Sequence, residues 1–255
     1  MYMPRDNMTS LVQRIARQAL VTFKNPPSVG DSSKSFLENH GKLYGLMNEV
    51  RAADLKITPR KAESSAMSAP HTPPVTYMHI CETDVFSMGV FLLKTGASIP
   101  LHDHPGMNGM LKVIYGKVRI TCFDKSDSPV DAACSTQPSP PLLPFQKDSL
   151  KRAVFRSVGE YTEESAACVL APHKDNLHQV DAVDGPTAFL DILAPPYDPD
   201  NGRDCHYYKV VQPMSDTAVK KPESQEPKEL WLLEIPQPTD FWCGGESYPG
   251  PEVSL

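Results

Sequence analysis

Apolar residues recur every three to four positions near the start of the chain. This spacing places them on one face of a helix over residues 6–23, which we expect to dock on a hydrophobic core. The residues on this face are Met8, Leu11, Val12, Ile15 and Ala19. Asp6 or Asn7 is the expected N-cap. The same periodicity predicts a second helix over residues 34–53.

From Pro74 onward the pattern changes to short apolar runs separated by turn residues, which is typical of β-strands. The predicted strands are Val75–Ile80, Phe86–Leu93, Leu111–Tyr115, Val118–Phe123, Cys168–Leu170, Gln179–Val183, Ala188–Leu193, Tyr207–Val211 and Leu230–Leu233. The two runs that flank Gly116 predict a tight hairpin. Many short strands without helices between them predict a mainly β fold, a jelly-roll barrel with the N-terminal helices packed on it.

The domain boundaries follow from composition. Residues 58–74 are rich in Ser, Ala and Pro and predict a linker. We therefore expect N-terminal helices and a linker over residues 1–70, followed by the β domain over residues 71–255. Two polar, Pro-rich inserts, residues 124–150 and 212–228, interrupt this domain, and we expect both to be surface loops without chemistry.

Charge and cysteine content limit the partners and the compartment. The net charge of −6 argues against nucleic acid as the main partner, and no apolar run is long enough to span a bilayer. Six cysteines lack CxxC spacing and follow no secretory signal, which predicts reduced thiols in the cytoplasm. Arg5, Arg14 and Arg17 on the first helix leave a mitochondrial presequence as the weaker alternative. We expect a monomer.

Two histidines lie two residues apart in the segment GASIPLHDH, residues 96–104. His102 and His104 follow a run that predicts a strand, and residues i and i+2 of a strand point to the same face. Two neutral imidazoles on one face are a pair of metal ligands that needs a third. The alternative is that both histidines are solvated loop residues.

Three further histidines are candidates for the third ligand. His79 lies inside an apolar strand, where a core or lining histidine is expected. His173 follows Pro172 in a loop, whereas His178 enters the predicted strand Gln179–Val183. We therefore predict that His178 is the third ligand.

The spacing around the first two histidines matches a known motif. From Gly96 to Gly116 the chain follows the first cupin motif, G-x5-H-x-H-x4-E-x6-G, at every position but one. Gly109 stands where most cupins have a ligand glutamate. The segment PHKDNLHQV, residues 172–180, loosely matches the second motif. The chain therefore resembles the cupin superfamily, whose fold is a double-stranded β-helix.

Several segments resemble one cupin family more closely. They are HDHPGM at 102–107, NLHQ at 176–179, DILAPPY at 191–197, RDCHYY at 203–208, FWC at 241–243 and MPRDNM at 3–8. Together they resemble the cysteamine (2-aminoethanethiol) dioxygenases, a thiol dioxygenase family related to the plant cysteine oxidases. The resemblance runs from about Pro74 to the C-terminus. It implies a non-heme Fe(II) enzyme with O2 as co-substrate.

The expected ligands agree with this chemistry. Three neutral histidines leave the iron its full positive charge and open positions, which suits an anionic thiolate. Oxidation of a thiol to a sulfinic acid removes four electrons, and one O2 accepts four without another reductant. By resemblance, the substrates are cysteamine, converted to hypotaurine, and the N-terminal cysteine of proteins. The second substrate would make the enzyme an oxygen-sensing regulator of protein lifetime.

The resemblance implies roles for four further residues. Asp191 would bind the substrate ammonium or orient a ligand, the alternatives being a structural salt bridge or a hydrogen-bonded core aspartate. Tyr197 would present its hydroxyl to oxygen or thiolate, unless it only anchors a turn. Cys205 and Tyr207 share a predicted strand face, and thiol dioxygenases can carry a Cys–Tyr thioether, although two buried residues at this spacing are common.

Two other functions stay open. Another metal-dependent cupin enzyme, such as an isomerase or a dioxygenase of carbon substrates, would usually keep the glutamate that Gly109 replaces. A non-catalytic cupin that serves as a binding or transcriptional partner would often lose ligand histidines, and this chain keeps three candidates.

Overall fold

The computed structural model describes residues 9–27, 33–62, 71–126, 138–139, 142–213 and 229–255. These residues form the helices α1 (Leu11–Phe23) and α2 (Lys34–Glu49). The strands are β1 (Val75–Glu82), β2 (Ser87–Leu93), β3 (Ser98–His102), β4 (Asn108–Lys125), β5 (Pro138–Ser139), β6 (Leu150–Thr162), β7 (Cys168–Leu170), β8 (Leu177–Ala194), β9 (Tyr207–Pro213), β10 (Glu229–Ile235) and β11 (Cys243–Glu246). None of the described helices is long and apolar enough to cross a membrane.

The first helix begins at Leu11 rather than at residue 6. Ser10 is its N-cap, and the Ser10 hydroxyl accepts a hydrogen bond from the Gln13 amide at 3.1 Å. A hydroxyl in this position satisfies one of the free amides of the first turn. The predicted start was therefore wrong, and the expected caps Asp6 and Asn7 lie outside the described residues.

The second helix is also shorter than predicted. It ends at Glu49, because Val50 adopts an extended backbone conformation and its amide bonds back to the Met47 carbonyl at 3.3 Å. A separate 3₁₀ turn, Ala52–Leu55, covers the remaining residues of the predicted helix.

Both helices pack on the outer face of the β domain. Ile15 of α1 and Met47 of α2 are fully buried in one hydrophobic cluster with Met88 of β2 and Leu190 of β8. The apolar stripe of the first helix thus covers strand residues that would otherwise be exposed to water, and burial of this kind is the main stabilising term in folding. The predicted docking of the N-terminal helix is confirmed.

Six strands close into a barrel. β8 pairs with β3, β3 with β9, β9 with β10, β10 with β6, β6 with β4, and β4 pairs again with β8. From β8 the sheet continues through β2 and β1 to β11, while β7 pairs with β4. This closed barrel of mostly antiparallel strands is the double-stranded β-helix that the sequence predicted.

β4 and β8 are long, bent strands, each of which was predicted as two. Gly116 on β4 has φ +76°, and Asp184 and Gly185 on β8 have φ +58° and +150°. The register of the β4–β8 ladder shifts between Val113 and Lys117. Residues at positive φ with a register shift form a bulge that bends a strand without reversing it. The hairpin predicted at Gly116 was therefore wrong.

The bend also changes which residues face the interior. Before the bend, Leu111 of β4 belongs to the interior hydrophobic cluster, and after it Val118 does. The interior-facing residues of β4 therefore change from odd-numbered to even-numbered positions. β8 shows the reverse change, from Val180 to Phe189. An extra residue in one strand moves every following side chain to the other face. Each long strand therefore contributes both of its halves to one core.

The insert predicted as a surface loop over residues 124–150 contains regular structure. β4 continues to Lys125, β5 pairs with β9, and a 3₁₀ segment, Pro144–Ser149, leads directly into β6. No apolar run marks β6, because its side chains are mostly exposed or partly buried. Residues 212 and 213 of the second insert are the end of β9, and residues 127–137, 140–141 and 214–228 lie outside the described part of the chain.

The bend at Gly116 yields a stability prediction. A Cβ at this position would lie 2.5 Å from the Pro186 carbonyl oxygen, and the residue is at positive φ. We expect Gly116→Ala to lower the free energy of unfolding by at least about 1–3 kcal/mol, measured by urea denaturation. Gly41 lies inside α2 with nothing near its missing Cβ, so Gly41→Ala should raise it by about 0.5–1 kcal/mol. Equal effects of the two changes would contradict the assigned strain.

Candidate metal centre

Three histidines converge at one end of the barrel interior. Potential ligand atoms of His102, His104 and His178 all lie within 4.8 Å of one another. The three side chains are buried, with 8%, 1% and 8% of their surface exposed. The structure thus brings together the three histidines that the sequence predicted.

The backbone explains how two of them meet. His102 is the last residue of β3 and lies directly opposite His178 in the β3–β8 ladder. His104 lies beyond the end of β3, so the expectation that both histidines share one regular strand was wrong. The Asp103 amide still donates to the His206 carbonyl oxygen at 3.1 Å, but the His206 amide donates to the Asp103 side chain instead of its carbonyl, and the regular ladder ends there.

Hydrogen bonds fix the orientation of two rings. Nδ1 of His102 lies 2.8 Å from the Pro100 carbonyl oxygen, and Nδ1 of His104 lies 2.7 Å from the Asn176 carbonyl oxygen. A ring nitrogen beside a carbonyl must donate, which places the proton on Nδ1 and leaves the lone pair of Nε2 for a metal.

The protonation state also suits metal binding. Burial lowers the pKa of all three imidazoles. Burial and the neighbouring His102 lower the pKa of His104 to about 3. The rings are therefore neutral at pH 7, the form in which histidine is a ligand.

Asn176 holds His104 in place and was missed as a functional residue. Its side-chain amide donates to the His104 carbonyl at 2.7 Å, and its side-chain oxygen accepts from the His104 backbone amide at 3.2 Å. Asp124, which is buried, accepts from the Asn176 backbone amide at 3.0 Å and from Arg156 at 2.7 Å. Asn176 lies two residues before the predicted ligand His178, and that proximity was the available signal.

The glutamate of the common cupin motif has no space here. A Cβ at Gly109 would lie 2.9 Å from Cγ of Leu170, whose side chain packs over that position. An apolar side chain therefore occupies the place where a fourth, carboxylate ligand would begin. The ligand set in the described residues is three imidazoles without an acid.

Asp191 borders the same cavity as His178. The cavity is lined mainly by apolar side chains such as Leu111 and Leu170. No described residue donates a hydrogen bond or pairs with the Asp191 carboxylate, so the alternative of a structural salt bridge has no partner. Burial raises the pKa of Asp191 to about 7. Asp191 lies on the strand of His178, β8, and not on the next strand as expected.

The other predicted site residues lie beside the histidines. The ring of Tyr197 lies 5.8 Å from that of His104, and its hydroxyl donates to the Asp103 carbonyl at 2.6 Å. The ring of Tyr207 lies 6.3 Å from that of His102. Cys205 lies against the hydroxyls of both tyrosines; burial raises its pKa to about 11, and the two hydroxyls oppose that rise.

The remaining candidate histidines do not join the centre. His79 lies on β1 with an exposed side chain, so the expectation of a core or lining histidine was wrong. His173 is exposed in the turn between Ala171 and Lys174. The three-histidine set that remains fits a divalent transition metal such as iron, because imidazole is a good ligand for these ions.

Comparisons with known proteins agree with this geometry. The PCO_ADO family model matches residues 46–253. The chain is 55% identical to the 2-aminoethanethiol dioxygenase of Homo sapiens, covering 98% of this chain and 99% of that protein. It is 56% identical to the enzyme of the same name from Mus musculus, with the same coverage. Plant cysteine oxidase 1 of Arabidopsis thaliana is 29% identical, covering 98% of this chain and 82% of that protein.

The choice of third ligand can be tested directly. His178→Ala removes one of three converging imidazoles, so we expect the metal content after loading with Fe(II) to fall at least about tenfold. His173→Ala changes an exposed histidine in the nearby turn and should leave it unchanged. Metal per chain is measured by mass spectrometry after gel filtration. Metal loss in His173→Ala with retention in His178→Ala would reverse the assignment.

Proposed function

This chain belongs to the PCO_ADO family, and we propose that it is a non-heme Fe(II) thiol dioxygenase that oxidises cysteamine to hypotaurine. The single observation that supports this most strongly is the cluster of three buried histidines without a carboxylate, next to the unpaired Asp191. Both atoms of O2 pass to the sulfur: the thiolate loses four electrons, O2 gains four, and the product is a sulfinate.

The ligand set supports iron that binds a thiolate. Three neutral imidazoles add no negative charge to the metal, so an anionic sulfur remains attractive as a further ligand. A bound Fe(II) ion would lower the pKa of the thiol and activate O2. His102, His104 and His178 would hold it through their free nitrogens.

The chain's own residues would orient the substrate. The carboxylate of Asp191 has no partner among the described residues and can accept the ammonium group of cysteamine. Tyr197 is held beside His104 by its bond to the Asp103 carbonyl and lines the same end of the barrel. The Cys205 thiol lies against the Tyr207 hydroxyl, and we propose a Cys–Tyr thioether as a modification of this wall, formed when the S–H and a ring C–H give up two hydrogens to O2, which is reduced to H2O2.

We propose the N-terminal cysteine of proteins as a second substrate, and with it a role in oxygen sensing. An N-terminal cysteine carries the same thiol and ammonium as cysteamine, with a neutral amide in place of a carboxylate. Free cysteine adds a negative charge that would face Asp191. Arg119 pairs with Glu160 and Arg203 with Asp198, so neither arginine is placed to bind that carboxylate.

Cellular context completes the proposal. We infer a cytoplasmic, monomeric enzyme that needs neither nucleic acid nor a membrane. The net charge of −6 supports the absence of a nucleic-acid partner. The described cysteines are all free thiols, in keeping with a reducing compartment.

The product distinguishes the proposed reaction from its alternatives. The Fe(II)-loaded chain should consume O2 with cysteamine or a Cys-initiated peptide and add two oxygen atoms to the sulfur, without external reductant. Free cysteine should react more slowly. Oxygen uptake and product mass are measured together, with the metal-free chain as control. A product with one added oxygen, or a disulfide, would contradict a dioxygenase.

Asp191 separates pocket chemistry from packing. Asp191→Asn keeps the shape and removes the charge, so turnover should fall about tenfold to thousandfold while the metal content stays the same. Burial raises the folded-state pKa of Asp191 from 3.8 to about 7. The folded protein therefore loses stability as pH rises through this range, because the buried carboxylate becomes charged. The melting temperature of the metal-free variant at pH 8 should therefore be equal or higher.

A matched control lies on the same strand. Asp181 accepts hydrogen bonds from Ser98 at 2.5 Å and Gln179 at 2.9 Å, and it does not border the cavity. Asp181→Asn should leave turnover unchanged. A lower melting temperature with normal turnover in Asp191→Asn would assign Asp191 to packing instead.

A further inference from the structure

We propose that Asp103, the residue between the first two histidines, is a positioning residue that fixes the Cys205–Tyr207 segment and Tyr197 relative to the metal ligands. The inference rests on the proposed function, because it concerns the wall of the same site. It concerns a residue that the sequence predicted neither as a ligand nor as a cavity residue.

The Asp103 carboxylate is the centre of a buried network. Its side chain is 1% exposed. It accepts hydrogen bonds from Nζ of Lys125 at 2.7 Å, the hydroxyl of Tyr208 at 3.1 Å and the backbone amide of His206 at 2.9 Å. Nδ1 of His206 also lies 3.1 Å from the carboxylate. A buried carboxylate without such partners would be strongly unfavourable, so these four groups and the acid define one arrangement.

The backbone of Asp103 makes two further connections, one of them again to His206. Its amide donates to the His206 carbonyl at 3.1 Å, and its carbonyl accepts from the Tyr197 hydroxyl at 2.6 Å. One residue therefore bonds to His206 through both its side chain and its main chain. Its main chain also holds Tyr197, whose ring lies 5.8 Å from that of His104.

His206 is the point through which Asp103 acts. It lies between Cys205 and Tyr207, so any shift of its backbone moves both neighbours. Tyr207 pairs directly with His102 in the β3–β9 ladder. The distance from the wall to the metal ligands is thus set by the bonds between Asp103 and His206.

Charge balance alone does not account for this arrangement. The side chain of Lys125 is 40% exposed, and its ammonium group lies 4.9 Å from the centre of the Tyr208 ring. Water can therefore solvate Lys125 without the acid. The His206 backbone amide, in contrast, cannot leave the carboxylate without moving Cys205 and Tyr207, so it is the donor through which a change at Asp103 would reach the wall.

Three variants distinguish positioning from charge balance. Asp103→Asn replaces one acceptor oxygen by an amide that faces hydrogen-bond donors, so we expect turnover of cysteamine to fall about tenfold or more with unchanged metal content. Lys125→Met should stay within about twofold of the unmodified chain. If Asp103 positions the wall, the double variant Asp103→Asn with Lys125→Met turns over cysteamine as slowly as Asp103→Asn alone. If the acid only balances Lys125, the double variant recovers, which would overturn the proposal.

A fourth variant covers the case in which Asp103→Asn does not fold. Asp103→Glu keeps the charge and moves the carboxylate by one methylene, so turnover should still fall several-fold. Normal turnover in Asp103→Glu would show that charge, not position, matters. Loss of metal in either variant would assign Asp103 to the histidines instead of the wall and would also overturn the inference.

A spectroscopic readout separates this inference from the proposed function. Co(II) bound to the three histidines reports their surroundings through its visible absorption, whatever the enzyme's substrate. We expect cysteamine to change this spectrum in the unmodified chain and to change it less in Asp103→Asn. If the unmodified chain takes up no O2, the proposed function fails. A smaller cysteamine-induced change in the spectrum of Co(II)-loaded Asp103→Asn would still support positioning. Identical Co(II) responses in the two chains would overturn it.

Discussion

The bend that β4 and β8 share is the constraint on which the site depends. Successive residues of a strand face opposite sides, so His178 and Asp191, at an even and an odd position, would diverge on a straight β8. The bulge at Gly185 changes the phase, and both side chains border one cavity. Gly116 permits the matching bend on β4, where any side chain would meet the Pro186 carbonyl oxygen. Both halves of β8 thus contribute side chains to the cavity beside His178.

The distribution of charge in the site follows from one apolar contact. Leu170 fills the space beside Gly109, which excludes a carboxylate ligand, and the acid of the site stands instead at Asp191 on the cavity wall. A metal held by three neutral rings keeps its positive charge, while the wall offers a negative one. A cysteamine thiolate with its ammonium group has the complementary order of charges, so in the proposed function both ends would be stabilised in a medium of low dielectric constant. A carboxylate ligand would weaken the attraction at the sulfur.

The sequence identified the three histidines that converge in the structure because their signal is local. His102 and His104 are set by spacing, and His178 by its place at a strand start. The hairpin at Gly116 was wrong because a glycine at positive φ serves a bulge as well as a turn, and only the partner strand distinguishes them. Asn176 and Asp103 were missed because their partners, Ala171 and His104 for the first and Lys125 and His206 for the second, are mostly distant in the chain. Hydrogen bonds of this kind have no periodicity.

The position of Asp103 between two ligands has a physical consequence. When the histidines on both sides of a residue turn toward a metal, the residue between them points the other way, as in an extended chain. Asp103 accordingly points away from the cavity, toward Lys125 and the start of β9. The same short segment therefore supplies two ligands on one side and an anchor on the other. A rigid anchor behind the ligands limits the movement of the rings, and site geometry is held best when supporting residues are themselves locked by hydrogen bonds.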